Sequence, residues 1–591
     1  MKLNSNVSAE RLRLRLAWNS GDSKKNDHDP AADEHDDDQC SIVFEWPFRC
    51  CVVDNFLELQ PQNGTTTSEN GRQESNEEAS GSDVFDEIIG DIRRTLVLTA
   101  ASSKKNLNND LYCFNQSDDL RNLTECKALE RFRTLLNGDV RNWVSKVTGF
   151  TLNTQVSATV SQYRHTDVLL CHDDQLESRR VAFVLYLTSP STTTSGGTLD
   201  LLSCDASGSP ISIARSIAPK RNRFVIFEVS PKSWHQVSEV TDKTFERLSI
   251  NGWFHADQTP PVSKPLAQNA DLSLLDPGDI EYATFMSCVS PQYCAPEIQA
   301  EIRAKFELDS EIELQSFLQP DFYEQLRLEL LSQAGTSNEK QPLTWRWQPM
   351  GPMNERNYDS LSLTSIDETS AVSACVRLFS SEAMYLLLSQ LTGLHLHPDA
   401  PTTDGAMEAP EASRSAANKP SSSKHHETCD ETVEPAAKKS KRENEVEHRE
   451  NTGRHQLRVR RFQHRSYTLL SDLRAESVRQ LGCALDAQLF VFSADWNECF
   501  GGSTSYVDVA EKNEEKNDES EKETGSDSDS SSGDNDELLT VVPKSNSLAL
   551  VFRDTETLKF VKYVNCGILE VQPPMLCDFS MSYYPSKDTD D

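Results

Sequence analysis

His172, Asp174 and His235 are the residues of this 591-residue chain whose types and spacing best suit chemistry. The first two stand one residue apart in HDDQLESRRVAFVLYL, the third closes FEVSPKSWH, and Arg247 follows twelve positions later in RLSINGWFH. Two imidazoles and a carboxylate are the donor set of a non-haem Fe(II) centre, which keeps open positions for small molecules. An arginine just past the second histidine suits a carboxylate-bearing cosubstrate, because its planar fork matches the two oxygens. In an extended segment His172 and Asp174 would share a face, since side chains alternate with a period of two. Phe183, Phe224, Phe227 and Trp234 are candidates for a dry lining around a reactive centre. Plainer readings stand beside these: Asp174 as a cap, His172 as a surface residue, Arg247 as one half of a surface ion pair, the phenylalanines as ordinary core. His165, His255 and Asp173 receive no role.

The elements that must hold these residues are strands. Val181–Leu187, Thr198–Leu202, Phe224–Val229 and Leu248–Phe254 are short, β-branched or aromatic, and separated by Gly, Pro, Ser and Asn. That pattern predicts a barrel or jelly-roll sandwich rather than alternating strand and helix. Upstream, Ser41–Leu59 reads as a strand entering the fold, while Val84–Leu98 and Ala128–Val147 have helical spacing. Between those helices runs NDLYCFNQSDDL, polar but punctuated by Tyr112 and Phe114. Further on, helical character is predicted over Ala295–Leu318, Phe322–Ala334 and Ala374–Leu394. β-like runs resume at Leu457–Leu470, Leu489–Ser493 and Leu548–Val561.

Composition narrows the class. The hydrophobic share is 37% and the net charge -34, so globular units diluted by polar segments are expected. Asp27–Asp38 holds seven acids without Lys or Arg, and Glu511–Glu537 holds twelve acids against three lysines. This balance argues against a broad nucleic-acid face. Fifteen cysteines without a CxxC pair indicate neither a zinc knuckle nor a disulfide framework. With no long apolar run, the expectation is a soluble chain without a membrane span, in a reducing compartment.

A faint repeat appears at an offset of 300. His165–Asp174 aligns with Arg465–Arg474, placing Asp472 opposite His172 and Arg474 opposite Asp174. Gly196-Gly197 has a counterpart in Gly501-Gly502, and matching Phe227 with Phe552 puts Phe560 at the place of His235. The second half thus reads as the same architecture without its ligands.

YRHTDVLLCHDD, FEVSPKSWHQVSEV, RLSINGWFH, NDLYCFNQSDDL and VFRDTETLKFVKYVN closely resemble the 2-oxoglutarate- and Fe(II)-dependent prolyl 3-hydroxylases of a small-subunit ribosomal protein. The resemblance implies a mixed α/β, mainly β chain with two tandem double-stranded β-helix (jelly-roll) domains and flanking helices, only the first holding iron. It implies His172, Asp174 and His235 on Fe(2+), Arg247 on the distal carboxylate of 2-oxoglutarate, and Tyr163 and Tyr186 in contact with that cosubstrate. Ser249 would share the face of Arg247 and is a further candidate. Tyr163 is an odd number of positions from His172, so a bend or bulge near Leu169 is required if both face inward. Cofactors would be Fe(2+), 2-oxoglutarate and O2, with L-ascorbate as reductant. The partner would be the ribosomal protein, with the second half as a protein-binding surface and locations in nucleus and cytoplasm. Lys438–Arg442 resembles an import signal.

The expected organisation is a disordered acidic arm over 1–40, a catalytic domain over 41–258 with a loop at 61–82, and a linker over 259–279. A degenerate, non-catalytic dioxygenase-like domain over 280–585 would follow, with disordered insertions at 398–452 and 509–537. Two other functions fit less of the chain: the same chemistry on another protein, and a non-catalytic scaffold in translation or stress responses.

Overall fold

The computed structural model describes residues 1–10, 12, 41–58, 84–104, 110–123, 126–176, 178–188, 196–258, 274–332, 346–365, 367–400, 453–470, 482–492, 496–508 and 537–585. The 61–82 loop and the Lys438–Arg442 cluster lie outside the described residues. So do 259–273 of the linker, 401–452 of the first insertion and 509–536 of the second.

The first half is a pair of antiparallel sheets with helices on one outer face. Its strands are β1 (Ser41–Phe44), β2 (Cys50–Val53), β3 (Tyr112–Cys113), β4 (Asn115–Gln116), β5 (Val156–Tyr163) and β6 (Val168–His172). They continue with β7 (Arg179–Tyr186), β8 (Leu199–Cys204), β9 (Pro210–Ile217), β10 (Phe224–Glu228), β11 (His235–Val237) and β12 (Arg247–His255). The large sheet runs β1-β2-β10-β7-β12-β5-β4, with the two-residue strand Thr99–Ala100 at the β4 edge, and the smaller one runs β9-β8-β11-β6-β3. β7 shows why its sequence is almost continuously apolar. Val181, Phe183 and Leu185 face the helices, whereas Ala182, Val184 and Tyr186 face the second sheet, so neither side meets water.

Helices α1 (Val84–Thr95), α2 (Lys127–Leu135) and α3 (Arg141–Thr148) close the outer face. They do so with Phe85, Ile88, Leu129, Phe132, Trp143 and Val144, at the helical spacing read from the sequence. A π-helical turn, Leu136–Val140, joins α2 to α3. The acidic arm needs correction at its start. Lys2–Leu3 pairs with Leu57–Glu58, and Leu12 is buried in the helix-side core, because Met1, Leu3 and Val7 give this end apolar surface to bury.

In the second half α4 (Tyr282–Cys288) and α5 (Pro296–Asp309) precede β13 (Glu311–Gln315). The helix predicted over Ala295–Leu318 therefore ends at Asp309, where Ser310 turns left-handed at φ 58° and starts a strand. After α6 (Pro320–Ser332) come β14 (Trp347–Met350) and β15 (Arg356–Leu361). The helix expected over Ala374–Leu394 is two, α7 (Ala371–Phe379) and α8 (Glu382–Thr392). The Ser381 hydroxyl accepts from Met384 N and begins the second one. The remaining strands are β16 (Arg454–Phe462), β17 (Tyr467–Thr468), β18 (Ala484–Phe492), β19 (Thr504–Asp508), β20 (Glu537–Val541), β21 (Ser547–Arg553), β22 (Thr557–Val561) and β23 (Leu576–Tyr584).

The strand order repeats. β10-β7-β12-β5 in the first half corresponds to β21-β18-β23-β16 in the second, and β9-β8-β11 corresponds to β20-β19-β22. The glycine pairs match as read from the sequence. A Cβ on Gly196 would lie 1.8 Å from Glu239 O, and one on Gly501 would lie 1.9 Å from Tyr563 O. The offsets, however, are not those expected. Thr166 and Arg465 share left-handed φ values of 73° and 75° and the same bond, to Val240 O and Val564 O respectively, so the first offset is 299. Asp472 and Arg474, expected opposite His172 and Asp174, lie outside the described residues. Leu201 pairs with His235 and Tyr506 with Lys559, so Lys559, not Phe560, stands at the place of His235. The misreading came from aligning two phenylalanines one position out of register, and a one-residue slip turns a strand inside out.

Candidate active site

β6 and β11 are antiparallel neighbours in which His172 stands directly opposite His235. This register brings the two rings to 4.2 Å between centroids. β6 ends at His172, and Asp174 does not continue it: its φ is 64°, a left-handed turn that aspartate tolerates. The pair therefore converges by a turn and not by strand alternation. The Asp174 carboxylate lies 3.6 Å from His172 Nε2 and 3.4 Å from His235 Nε2, and the three donor atoms fall within 4.8 Å of one another.

Backbone carbonyls orient both rings. His172 Nδ1 lies 2.8 Å from Leu170 O, and His235 Nδ1 lies 2.8 Å from Ser233 O. Each Nδ1 thus donates its proton, which aims the Nε2 lone pair at the common centre, as metal-ligating histidines require. Burial alone would raise the Asp174 carboxyl, but His235, His172 and Arg179 outweigh it and hold that carboxyl well below the usual range. Burial opposes the charging of His235, and the same carboxylate overcomes it and raises the imidazole.

Arg247 opens β12 opposite Tyr163, the last residue of β5, and Tyr186 at the end of β7 is paired with Ser249. Arg247 is 2% exposed, with its guanidinium carbon 4.6 Å from the Tyr163 ring and 5.1 Å from that of Tyr186. It donates to Ser249 Oγ at 3.3 Å, and among the described residues no carboxylate pairs with it. Arg247 Nε, the Tyr186 hydroxyl and Ser161 Oγ are buried without hydrogen-bond partners. Buried polar groups are seldom left so, and an arginine, a phenol and a serine are the donors a carboxylate needs. A single cavity is lined by the triad, Tyr163 and Arg247. The residues present fit iron on one side and a dicarboxylate on the other.

The break predicted near Leu169 takes two forms. A turn at Arg164–Asp167 separates β5 from β6. A bulge in β6 then sets Leu169-Leu170-Cys171-His172 against His235-Gln236-Val237, four residues facing three. The turn and the extra residue together let Tyr163 and His172 both face the cavity.

Of the proposed lining, Phe227 turns to the site, with its ring 4.7 Å from that of His235. Phe183 also borders the cavity while packing in the helix-side core; Phe224 belongs to that core alone, stacked on Phe56 at 4.1 Å, and the Trp234 indole donates to Gly208 O. His255 lies between the hydroxyls of Ser157 and Ser178, away from the triad. Other contributors were missed. Phe114 stacks on Tyr163 at 4.5 Å, and Tyr112 stands 6.5 Å from the His172 ring. Arg179 lies 3.6 Å from Asp174 and 3.4 Å above the Trp253 ring. The period of two that singled out Ser249 also points to Asn251 and Trp253; no local pattern signals Tyr112, Phe114 or Arg179.

A family model described as the 2OG-Fe(II) oxygenase superfamily matches residues 158–255. A second, described as oxoglutarate and iron-dependent oxygenase degradation C-term, matches residues 281–591. The chain is 35% identical over 503 residues to prolyl 3-hydroxylase OGFOD1 of Mus musculus, covering 80% of this chain and 83% of that protein. It is 35% identical to the Xenopus laevis protein of the same name, over 77% of each. It is 32% identical to prolyl 3-hydroxylase sudestada1 of Drosophila melanogaster, over 77% of this chain and 74% of that one.

Proposed function

The chain belongs to the prolyl 3-hydroxylase family of 2-oxoglutarate- and Fe(II)-dependent oxygenases, and from that membership we propose that it hydroxylates carbon 3 of a peptidyl proline in a small-subunit ribosomal protein. Iron, 2-oxoglutarate and O2 supply the oxidising power, yielding succinate, carbon dioxide and one hydroxyl on the substrate. His172, Asp174 and His235 hold the metal. Arg247 receives the distal carboxylate of 2-oxoglutarate, Tyr186 and Tyr163 flank it, and Ser249 steadies the guanidinium. Phe227, Leu199 and Val237 exclude water from the same cavity.

The observation that carries this reading is the orphaned Arg247 Nε at the cavity that holds the triad, with the unpartnered Tyr186 hydroxyl on a ring 5.1 Å from the guanidinium. The second half is, in this proposal, a duplicated jelly-roll domain that does no iron chemistry. Lys559 stands where His235 would be, and an ammonium offers no lone pair; its Nζ lies 2.9 Å from Asp486. The test is mass spectrometry of small-subunit ribosomal proteins from cells lacking the chain. A one-oxygen proline modification should disappear, return with the wild-type chain, and stay absent with His172→Ala or Asp174→Ala. An unchanged spectrum refutes the substrate.

A further inference from the structure

The segment carrying Tyr112 and Phe114 has two faces. One lines the cavity, with Phe114 stacked on Tyr163. The other sets Leu111 and Cys113 against Tyr467, Leu469 and Tyr563 of the second half. Just before it, the half-buried Asp110 carboxylate accepts the backbone N–H of Tyr563. A second junction lies at Glu239, which is fully buried. Three donors grip its carboxylate: His464 Nε2 at 2.6 Å, Cys566 N at 2.8 Å and the Tyr563 hydroxyl at 3.3 Å. All three belong to the second half.

Glu239 leads directly to the arginine pocket. Its carbonyl accepts from Gly197 N at 3.2 Å, and Val240 beside it packs against Tyr163 and Phe245. A Cβ on Gly197 would lie 3.2 Å from Arg247 Cδ and 3.3 Å from Val240 Cγ2. Movement of Glu239 would therefore be felt by Arg247 through one layer of contacts. A buried carboxylate left without its donors is strongly disfavoured, so the bonds from the second half determine where this wall stands.

We propose that the segment Tyr563–Cys566 of the second half is a positioning element for cosubstrate binding, acting through Glu239 and Asp110 on the Val240 and Phe114 walls beside Arg247. The inference rests on the assignment of Arg247 to 2-oxoglutarate. Glu239, His464 and Tyr563 touch no reacting atom; they are positioning residues.

The test uses the full chain loaded with Mn(II), a redox-silent stand-in, and titration calorimetry with 2-oxoglutarate. Glu239→Ala and His464→Ala should each weaken binding about tenfold, with Mn(II) affinity unchanged. The double variant should lose little more than either single one, because both break the same contact. Leu388→Ala, in the core of the second half, should lower thermal stability while leaving 2-oxoglutarate affinity within about twofold. If Glu239→Ala does not fold, Glu239→Gln and Tyr563→Phe replace it, each expected to weaken binding about threefold. Normal binding in the Glu239 variants, with binding lost in Arg247→Ala, overturns the positioning role. Equal weakening by Leu388→Ala also overturns it, since loosening anywhere would then suffice. Normal binding in Arg247→Ala overturns the pocket assignment beneath it.

Discussion

Arg247→Met separates a residue kept for its ligand from one kept for the fold. Methionine preserves much of the side-chain volume while removing the charge. Without cosubstrate, the guanidinium is 2% exposed and faces no carboxylate among the described residues. Desolvating such a cation costs several kcal/mol. The faces of Tyr163 and Tyr186 return about 0.5–2 kcal/mol each, and the bond to Ser249 about 1.5–3 kcal/mol. These terms nearly cancel, so the variant without ligand should be about as stable as the wild type, or slightly more so.

The ligand-bound state behaves differently. At about 100 times its Kd, 2-oxoglutarate should stabilise the Mn(II)-loaded wild type by about 2.7 kcal/mol. For a domain of this size that is about 5–10 °C in Tm. Losing a forked, charge-assisted pair removes about 3–5 kcal/mol of binding, two to three powers of ten or more in Kd. The shift should vanish in Arg247→Met. Differential scanning fluorimetry with and without 2-oxoglutarate reads both effects. A ligand-free variant destabilised by more than about 2 kcal/mol would mark Arg247 as structural, and a retained ligand shift would remove it from the cosubstrate site.

The remaining predictions concern the second half. Asp486 is buried between Arg553 Nε at 2.7 Å and Lys559 Nζ at 2.9 Å, so Asp486→Asn should destabilise by about 3–5 kcal/mol in urea titration. Lys559→Met should stay within about 1 kcal/mol, because burial and the Arg553 charge already push the ammonium down to about 8 and Arg553 continues to neutralise Asp486. Burial lowers His455 to about 4, with its ring nitrogens against the Tyr385 and Ser380 hydroxyls. The unfolded chain takes up that proton near pH 6.5 and the folded chain only near pH 4. Stability should therefore fall by about 3 kcal/mol as the pH drops across that window, and His455→Asn should flatten the slope.

Much of the site was legible because it obeys local rules. The residue types around His172 and His235 announce a metal, and Arg247 and Ser249 share a strand face by simple alternation. The double burial of β7 shows as an almost unbroken apolar run. The repeated strand order was foreshadowed by Gly196-Gly197 and Gly501-Gly502, since Glu239 O and Tyr563 O approach Gly196 and Gly501 too closely for any side chain. Its register was not: the connections between matched strands differ in length, so each pair has its own offset, and matching Phe227 with Phe552 put Phe560 where Lys559 stands. The end of the helix at Ser310 and the break at Ser381 were hidden for a related reason, since apolar residues continue through both boundaries.

By itself the sequence determined the donor types, the alternation that puts Arg247, Ser249 and Trp253 on one face, and the matching glycine pairs. Those follow from side-chain chemistry and from the geometry of a single strand. Only the tertiary structure decided that Asp174 reaches the histidines through a left-handed turn, that Tyr112 and Phe114 close the cavity, and that the Glu239 carboxylate meets donors from the other half. Each of these depends on residues far apart in the chain meeting in one place, as Glu239 and His464 do across 225 positions, and no local pattern encodes that meeting.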